Sequence, residues 1–430
     1  MTTTHLGSTP RPDTRRRHRT RDVIAANFGT FFEWFDLLVY AMFAITISKL
    51  FFPQEDEQSA LLFSLMTFAS SFLIRPVGAV VLGIMADKLG RRTTLSIAAM
   101  TMLAGTALIA VAPTYETIGV WAPIILVTGR LLQGFSVGGE FGTANSYLTE
   151  QSPSKKAFFA SLQFSTSGLA VMTASLFALV VNHFLTPEQV NSWGWRLPFI
   201  FGCLIGPVGL YIRAKIDETQ DFEELKQQGT AKSPLGETFK FHTRYVLIGA
   251  VITAAGVVAS FLNIYMPTFA INNLGISKDS AFTASICSGL VCTFLPMVGG
   301  ICADRFGVIK VMRIALVLGV ILVFPLFYML TSAPSLLTLI VFQCTLSTVF
   351  YSFYFSPVGS LLAQLFPTSC RTTGVSIAYV IAQTFFGGVT PLVVGFLVAQ
   401  SGSIMAPAYY IVVIAAAALL GLHASRHRVK

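Results

Sequence analysis

Gly83-Ile84-Met85-Ala86-Asp87-Lys88-Leu89-Gly90-Arg91-Arg92 and Gly300-Ile301-Cys302-Ala303-Asp304-Arg305-Phe306-Gly307 are two copies of one phrase. Gly83 and Gly300, Asp87 and Asp304, Lys88 and Arg305, and Gly90 and Gly307 are each 217 residues apart, in a chain of 430. A separation so close to half the length marks a duplicated unit. The first glycine permits close helix approach and the second a tight turn. The acid stands where it can cap a helix or pair with a base. Arg91 and Arg92 can reach acids on neighbouring helix ends, Glu150 being the best candidate. Such a network can hold one conformation shut and break in the other. That makes Gly83, Asp87, Gly90, Arg91, Arg92, Glu150, Asp304 and Arg305 gating candidates. The plainer reading is a basic turn with no gating role.

The surroundings of the two copies are apolar. Hydrophobic residues make up 54% of the chain and charged residues only 11%, with a mean hydropathy of +0.69. Soluble domains carry about 25% charged residues, and disordered chains are polar and charge-rich. Apolar runs such as 61–81 and 378–400 are long enough to cross a bilayer, which takes about 20 helical residues. A membrane barrel would show alternating segments of about 10 residues instead. Twelve spans are expected, at 24–48, 59–82, 93–112, 119–148, 157–184, 196–212, 245–270, 281–303, 311–331, 335–362, 373–398 and 404–424.

Charge tests this count. With the N-terminus in the cytoplasm, the inner side carries 24 of the 29 basic residues, the tail 11–21 and the central loop among them. The outer side carries only Lys49, Arg196 and Lys278, while Arg75 and Arg130 lie within spans. One missing span would swap every later loop and destroy this asymmetry. The net charge of +9 therefore reads as topology and contact with anionic lipid, not nucleic-acid binding. Glu33 and Asp36 in the first span argue for a retained helix over a cleaved leader. The expected organisation is a basic cytoplasmic tail (1–23), a six-helix bundle (24–212), a cytoplasmic linker (213–243), a second bundle (244–424) and a cytoplasmic tail (425–430). The linker acids from Asp217 to Glu224 suggest a short amphipathic helix. Parallel halves of this kind place a substrate site at the bilayer midplane between them.

At this point the residues resemble a known group. Gly83–Arg92 is similar to the loop 2–3 signature of the major facilitator superfamily. Glu33-Trp34-Phe35-Asp36, Arg75-Pro76-Val77-Gly78, the span-4 run from Gly129 to Gly142, Trp193-Gly194-Trp195-Arg196-Leu197-Pro198-Phe199, Arg371-Thr372-Thr373-Gly374 and Phe386-Gly387-Gly388-Val389-Thr390-Pro391 surround it. Together they resemble the metabolite:proton symporters, over about residues 24–424. The resemblance implies twelve helices in two pseudo-symmetric bundles, import of a small organic acid across the plasma (inner) membrane, and rocker-type alternating access. The coupling ion is a proton, and no cofactor or metal is implied. Tyr115–Pro123 and Tyr265-Met266-Pro267-Thr268 look closest to the citrate and tricarboxylate members. Proline/betaine or shikimate symport, or an uncoupled facilitator or exporter, stay open. Val308 and Ile309 replace the usual basic pair of the second loop, which weakens its gating role. A monomer in the lipid bilayer is expected.

Charges within the bilayer are functional candidates by default. Glu33, Asp36, Arg75, Arg130 and Glu140 are the five in-span charges, and none recurs in the second half. Burial favours a protonated carboxyl, and a nearby arginine favours the ionised one. A moving arginine would therefore make proton affinity depend on conformation. Asp36 and Arg130 match the acid of span 1 and the arginine of span 4 that pair in proton-coupled sugar porters. The resemblance implies that Asp36 carries the proton and Arg130 tunes it. The alternative is a fixed buried ion pair. Glu33, three residues from Asp36, is either a second protonation site or a partner of Arg75. Glu140 sits among Gly134, Gly138 and Gly142, whose spacing makes a flat helix face, and is either packing or transport machinery.

A carboxylate substrate needs cations and hydroxyl donors. Arg130 and Arg75 are the in-span cations; Asn263, Tyr265, Tyr351, Tyr354 and Gln383 are polar groups in apolar spans of the second half. Tyr351 and Tyr354, three apart, are expected on one helix face. The six cysteines lack metal-ligand spacing and read as buried thiols. An enzyme is disfavoured by the absence of P-loop, nucleophile-elbow or paired-histidine motifs. A channel would need a filter-like loop, and a sensor on this scaffold an added cytoplasmic domain.

Overall fold

The computed structural model describes residues 29–52, 57–89, 91–138, 155–207, 242–366 and 371–426. All the regular structure among them is helical. Among the described residues, eight helices are long and apolar enough to span: Glu57–Leu82, Lys156–Phe184, Thr243–Leu274, Lys278–Phe306, Val308–Ser332, Leu336–Leu365, Thr373–Ser401 and Ala406–Ser425. They match expected spans 2, 5 and 7–12. Gly29–Met42 and Ala44–Phe51, bent by 65° at Phe43, form span 1. The shorter Ser96–Val111 and Trp121–Val137 belong to spans 3 and 4, and Leu197–Gly202 opens span 6. Helices prevail because hydrocarbon offers backbone groups no other partner. Large side chains such as Leu420, Val413 and Ile321 stay exposed on the outer faces, where lipid replaces water as solvent. The fold is the twelve-helix, two-bundle architecture.

Backbone contact sets the packing within the first half. A Cβ added at Gly134 would lie 1.9 Å from the Ser71 carbonyl oxygen, and one at Gly138 would lie 2.2 Å from that of Arg75. The glycine face of span 4 therefore lies directly on span 2, as small residues permit in membranes. This closeness holds Ser71 against Arg130.

Among the described residues, two seams between the halves stand out. Spans 5 and 8 run antiparallel. A Cβ at Gly300 would lie 2.7 Å from the Ala157 oxygen, and one at Gly168 would lie 2.2 Å from the Cys292 carbonyl carbon. At one end Asp304 accepts hydrogen bonds from the backbone N–H groups of Ala157 and Phe158, both at 2.9 Å. The acid of the second repeat thus caps a first-half helix. At the other end His183 Nδ1 lies 2.8 Å from Asp279 Oδ2, and Lys278 donates to Asn182 at 3.2 Å. Spans 2 and 11 form the other seam, where Thr384 donates to the Phe72 carbonyl at 3.1 Å. Gly307 joins spans 8 and 9 at φ +94°, a conformation that favours glycine.

Two features differ from the expected helices. Span 10 widens to π geometry over Ser347–Phe355, and span 11 does so over Gln383–Gly387. Bonding from i to i+5 slackens the turn, so positions three apart lose their shared face. The Tyr351 hydroxyl donates to the Phe164 carbonyl of the other half at 2.9 Å, whereas Tyr354 donates to Ile252 on span 7. The one-face expectation for this pair is corrected accordingly. Of the gating candidates, Gly90 and Glu150, and all but the backbone of Gly83, Asp87, Arg91 and Arg92, lie outside the described residues, as do Glu140, tail 1–23 and linker positions 213–241. Arg305 is described, its guanidinium 5.4 Å from the Phe306 ring.

Candidate transport site

Two polar assemblies occupy the interior. The first is sealed inside the first bundle. Asp36 and Arg130 are each 1% exposed. Among the described residues they do not form a direct ion pair; Gln133 stands between them. Its Nε2 donates to Asp36 Oδ2, and its Oε1 accepts from Arg130 Nη1 at 2.8 Å. Thr106 of span 3 also donates to Asp36, at 2.9 Å. Arg130 Nη2 donates to Ser71 of span 2 at 3.1 Å, and its guanidinium lies 4.6 Å from the Tyr40 ring centroid and 5.4 Å from that of Phe68. Cation–π contact of this kind partly replaces lost hydration. Gly202 brings span 6 against Asp36: a Cβ there would lie 3.1 Å from Oδ1, which has no hydrogen-bond partner among the described residues.

The amide orientation of Gln133 carries information. Its N–H faces the acid and its carbonyl faces the arginine, which suits an ionised carboxylate and a guanidinium. A protonated Asp36 that donates its own hydrogen needs an acceptor. If the amide turned to supply one, its N–H would face the Arg130 donors. A proton taken instead on the open Oδ1 leaves Oδ2 an acceptor and weakens its bonds from Gln133 and Thr106 by removing the charge.

The second assembly is a pair of cavities between the halves. The larger, about 620 Å³, is walled by Trp34, Phe164, Phe350, Tyr351, Phe355 and Tyr379, with Gln163, Asn263 and Ser347 among its polar members. The smaller, about 410 Å³, is lined by Glu33, Arg75, Gln163, Tyr379 and Gln383, and Trp34 lines both. Asn263 donates to Ser288 at 2.7 Å and to Ser347 at 2.9 Å; Gln383 donates to Tyr379 at 2.8 Å. Arg75 is buried with its guanidinium 3.9 Å from the Phe72 ring centroid. Arg75 Nε, Gln163 Oε1, Asn263 Oδ1 and Gln383 Oε1 lack partners among the described residues. Buried polar atoms are rarely left so, and four on residues that line these two adjoining cavities point to a ligand.

The candidates therefore divide. Glu33, Arg75 and Gln383 line the small cavity, Asn263 and Tyr351 the large one. Asp36, Arg130, Tyr265 and Tyr354 stand outside both linings; the Arg130 guanidinium is engaged by Gln133 and Ser71. Sequence reasoning passed over Gln133, Thr106 and Gln163. The available signals were Gln133 three residues after Arg130, and Gln163 as an amide within an apolar span.

Paired helical bundles around a polar-tipped cavity define a membrane transport protein, not an enzyme. The signature of the Major Facilitator Superfamily matches residues 28–391, and the chain belongs to that superfamily. It is 34% identical over 405 residues to a citrate-proton symporter of Klebsiella pneumoniae, across 94% of this chain and 90% of the relative. It is 33% identical over 412 residues to the proline/betaine transporter of Escherichia coli K12, across 93% and 81%. The fold matches a partially occluded, inward-open xylose transporter of E. coli with a TM-score of 0.75 at 16% identity, across 95% of this chain and 97% of that one. This is a multi-pass plasma-membrane protein.

Proposed function

We propose that the chain imports a small carboxylate-bearing metabolite, driven by protons, through alternating access between its two bundles. The observation that carries this reading is the buried chain Asp36–Gln133–Arg130 beside cavities that present the unpartnered edge of Arg75. Asp36 takes the proton. Protonation neutralises the carboxylate, so its hydrogen bond from Gln133 weakens and the tie to Arg130 loosens. Arg130 is held on Ser71 of span 2, the helix that also carries Arg75, so the change reaches the cavity wall. Arg75 receives the carboxylate as a planar fork, and Glu33, lining the same cavity, is the second group able to hold a proton there. Asp304 and the His183–Asp279 pair latch opposite ends of the seam between spans 5 and 8. Both termini are cytoplasmic in this scheme, the Asp304 end faces inward, and one chain is sufficient. Relatives that include a citrate-proton symporter and a proline/betaine transporter at nearly equal identity support proton-coupled uptake of a metabolite without choosing among substrates.

The test is uptake into proteoliposomes under an imposed pH gradient. Asp36→Asn should abolish uphill accumulation while leaving substrate exchange intact. Accumulation by that variant at the unmodified level would refute the assignment. Uptake indifferent to the gradient would leave a facilitator.

A further inference from the structure

We infer that the substrate carries a single carboxylate together with hydroxyl or N–H donors, and is not a polycarboxylate. This rests on the reading of the cavities as the substrate site. The described lining residues of the large cavity bear no formal charge, and those of the small one bear one cation, Arg75, and one acid, Glu33. A substrate with three carboxylates would bring one of them to Arg75 and leave two without a cation among the described lining residues. Buried carboxylates so placed are strongly disfavoured.

The unpartnered atoms give the rest of the description. Arg75 Nε is the one donor among those four atoms; the other three, on Gln163, Asn263 and Gln383, are amide oxygens and hence acceptors. The amide nitrogens of Asn263 and Gln383 are already committed to Ser288, Ser347 and Tyr379. These oxygens call for donors on the ligand, which carboxylates cannot supply. Gln163 lines both cavities, so a molecule with its carboxylate on Arg75 and its body in the aromatic chamber must pass it. The walls of Trp34, Phe164, Phe355 and Tyr379 suit a compact ring or short chain.

The experiment uses the purified full-length chain. Thermal-shift titrations and pH-driven uptake are run with shikimate (one carboxylate, three hydroxyls), L-proline (one carboxylate, N–H donors), glycine betaine (one carboxylate, no donor), citrate and tricarballylate. Shikimate or L-proline should bind at least about tenfold tighter than citrate or tricarballylate, a difference within easy reach of titration, and glycine betaine should trail the donor-bearing compounds. Gln163→Leu should remove most of that preference, while melting of the ligand-free protein reports that the variant is folded. Tighter binding and accumulation of citrate or tricarballylate would overturn the inference and leave proton-driven uptake standing. The expected order without any response to the pH gradient would uphold the inference and remove proton coupling. Binding or movement of none of the five would sink both.

Discussion

Replacing Gln133 by Met isolates the bridge between Asp36 and Arg130, because Met keeps the length of the side chain and removes its amide. Three hydrogen bonds disappear: from Nε2 to Asp36, from Nε2 to Thr106 at 3.1 Å, and from Arg130 to Oε1 at 2.8 Å. Two of these join ionised groups, and such bonds contribute about 1.5–3 kcal/mol each. Asp36 keeps Thr106 and Arg130 keeps Ser71, so neither charge is wholly abandoned. The expected loss is then about 3–6 kcal/mol, or more than about a hundredfold in any equilibrium that the bridge biases. Gln133→Glu is the companion. It retains an acceptor for Arg130 but sets a second acid against Asp36. Both variants are purified, melted in detergent, and assayed in proteoliposomes for pH-driven accumulation and for exchange. Gln133→Met should melt lower and lose accumulation; Gln133→Glu should melt closer to the parent and still lose accumulation. A double-mutant cycle of Gln133→Met with Asp36→Asn should be strongly non-additive, since the two side chains touch. Full accumulation by Gln133→Met, or an additive cycle, would refute the bridge.

Other expectations follow from the seams. Asp304→Ala removes the cap on Ala157 and Phe158 and should cost about 0.5–2 kcal/mol; hydrogen exchange at the start of span 5 should speed up, and unchanged protection there would contradict the cap. Gly168→Val drives a side chain into Cys292, whose carbonyl carbon lies 2.2 Å from the Cβ position. It should destabilise by at least about 1–3 kcal/mol and stop transport, with Gly168→Ala milder in melting curves. Asp279→Asn breaks a pair whose side chains are 57% and 49% exposed, so the melting temperature should move by no more than about 1 kcal/mol of stability allows.

The spans and the duplication were legible because hydrocarbon imposes both length and composition. Charged residues announced themselves for the same reason: Asp36, Arg75 and Arg130 are costly to bury and stand out against their spans. Gln133 did not, since a neutral amide is far cheaper to bury than a charge and only its neighbours reveal its role. The separation of Tyr351 from Tyr354 was hidden because a widened turn leaves no mark in the pattern of apolar residues. The bend at Phe43 was equally silent. The expectation that Asp36 would meet Arg130 directly gives way to a bridge through Gln133, because spacing along a chain does not disclose what sits between two helices.

The seam between spans 5 and 8 has its tightest point near the middle, where Gly168 lies against Cys292, and polar clasps at its tips. Two rods that touch backbone to backbone at their centres have a fulcrum there. Tilting them about it parts one tip while pressing the other together, as a seesaw does. Under the alternating-access scheme proposed above, a carrier built on that pivot would open to one compartment only by closing to the other, and leverage would do the work of a separate door.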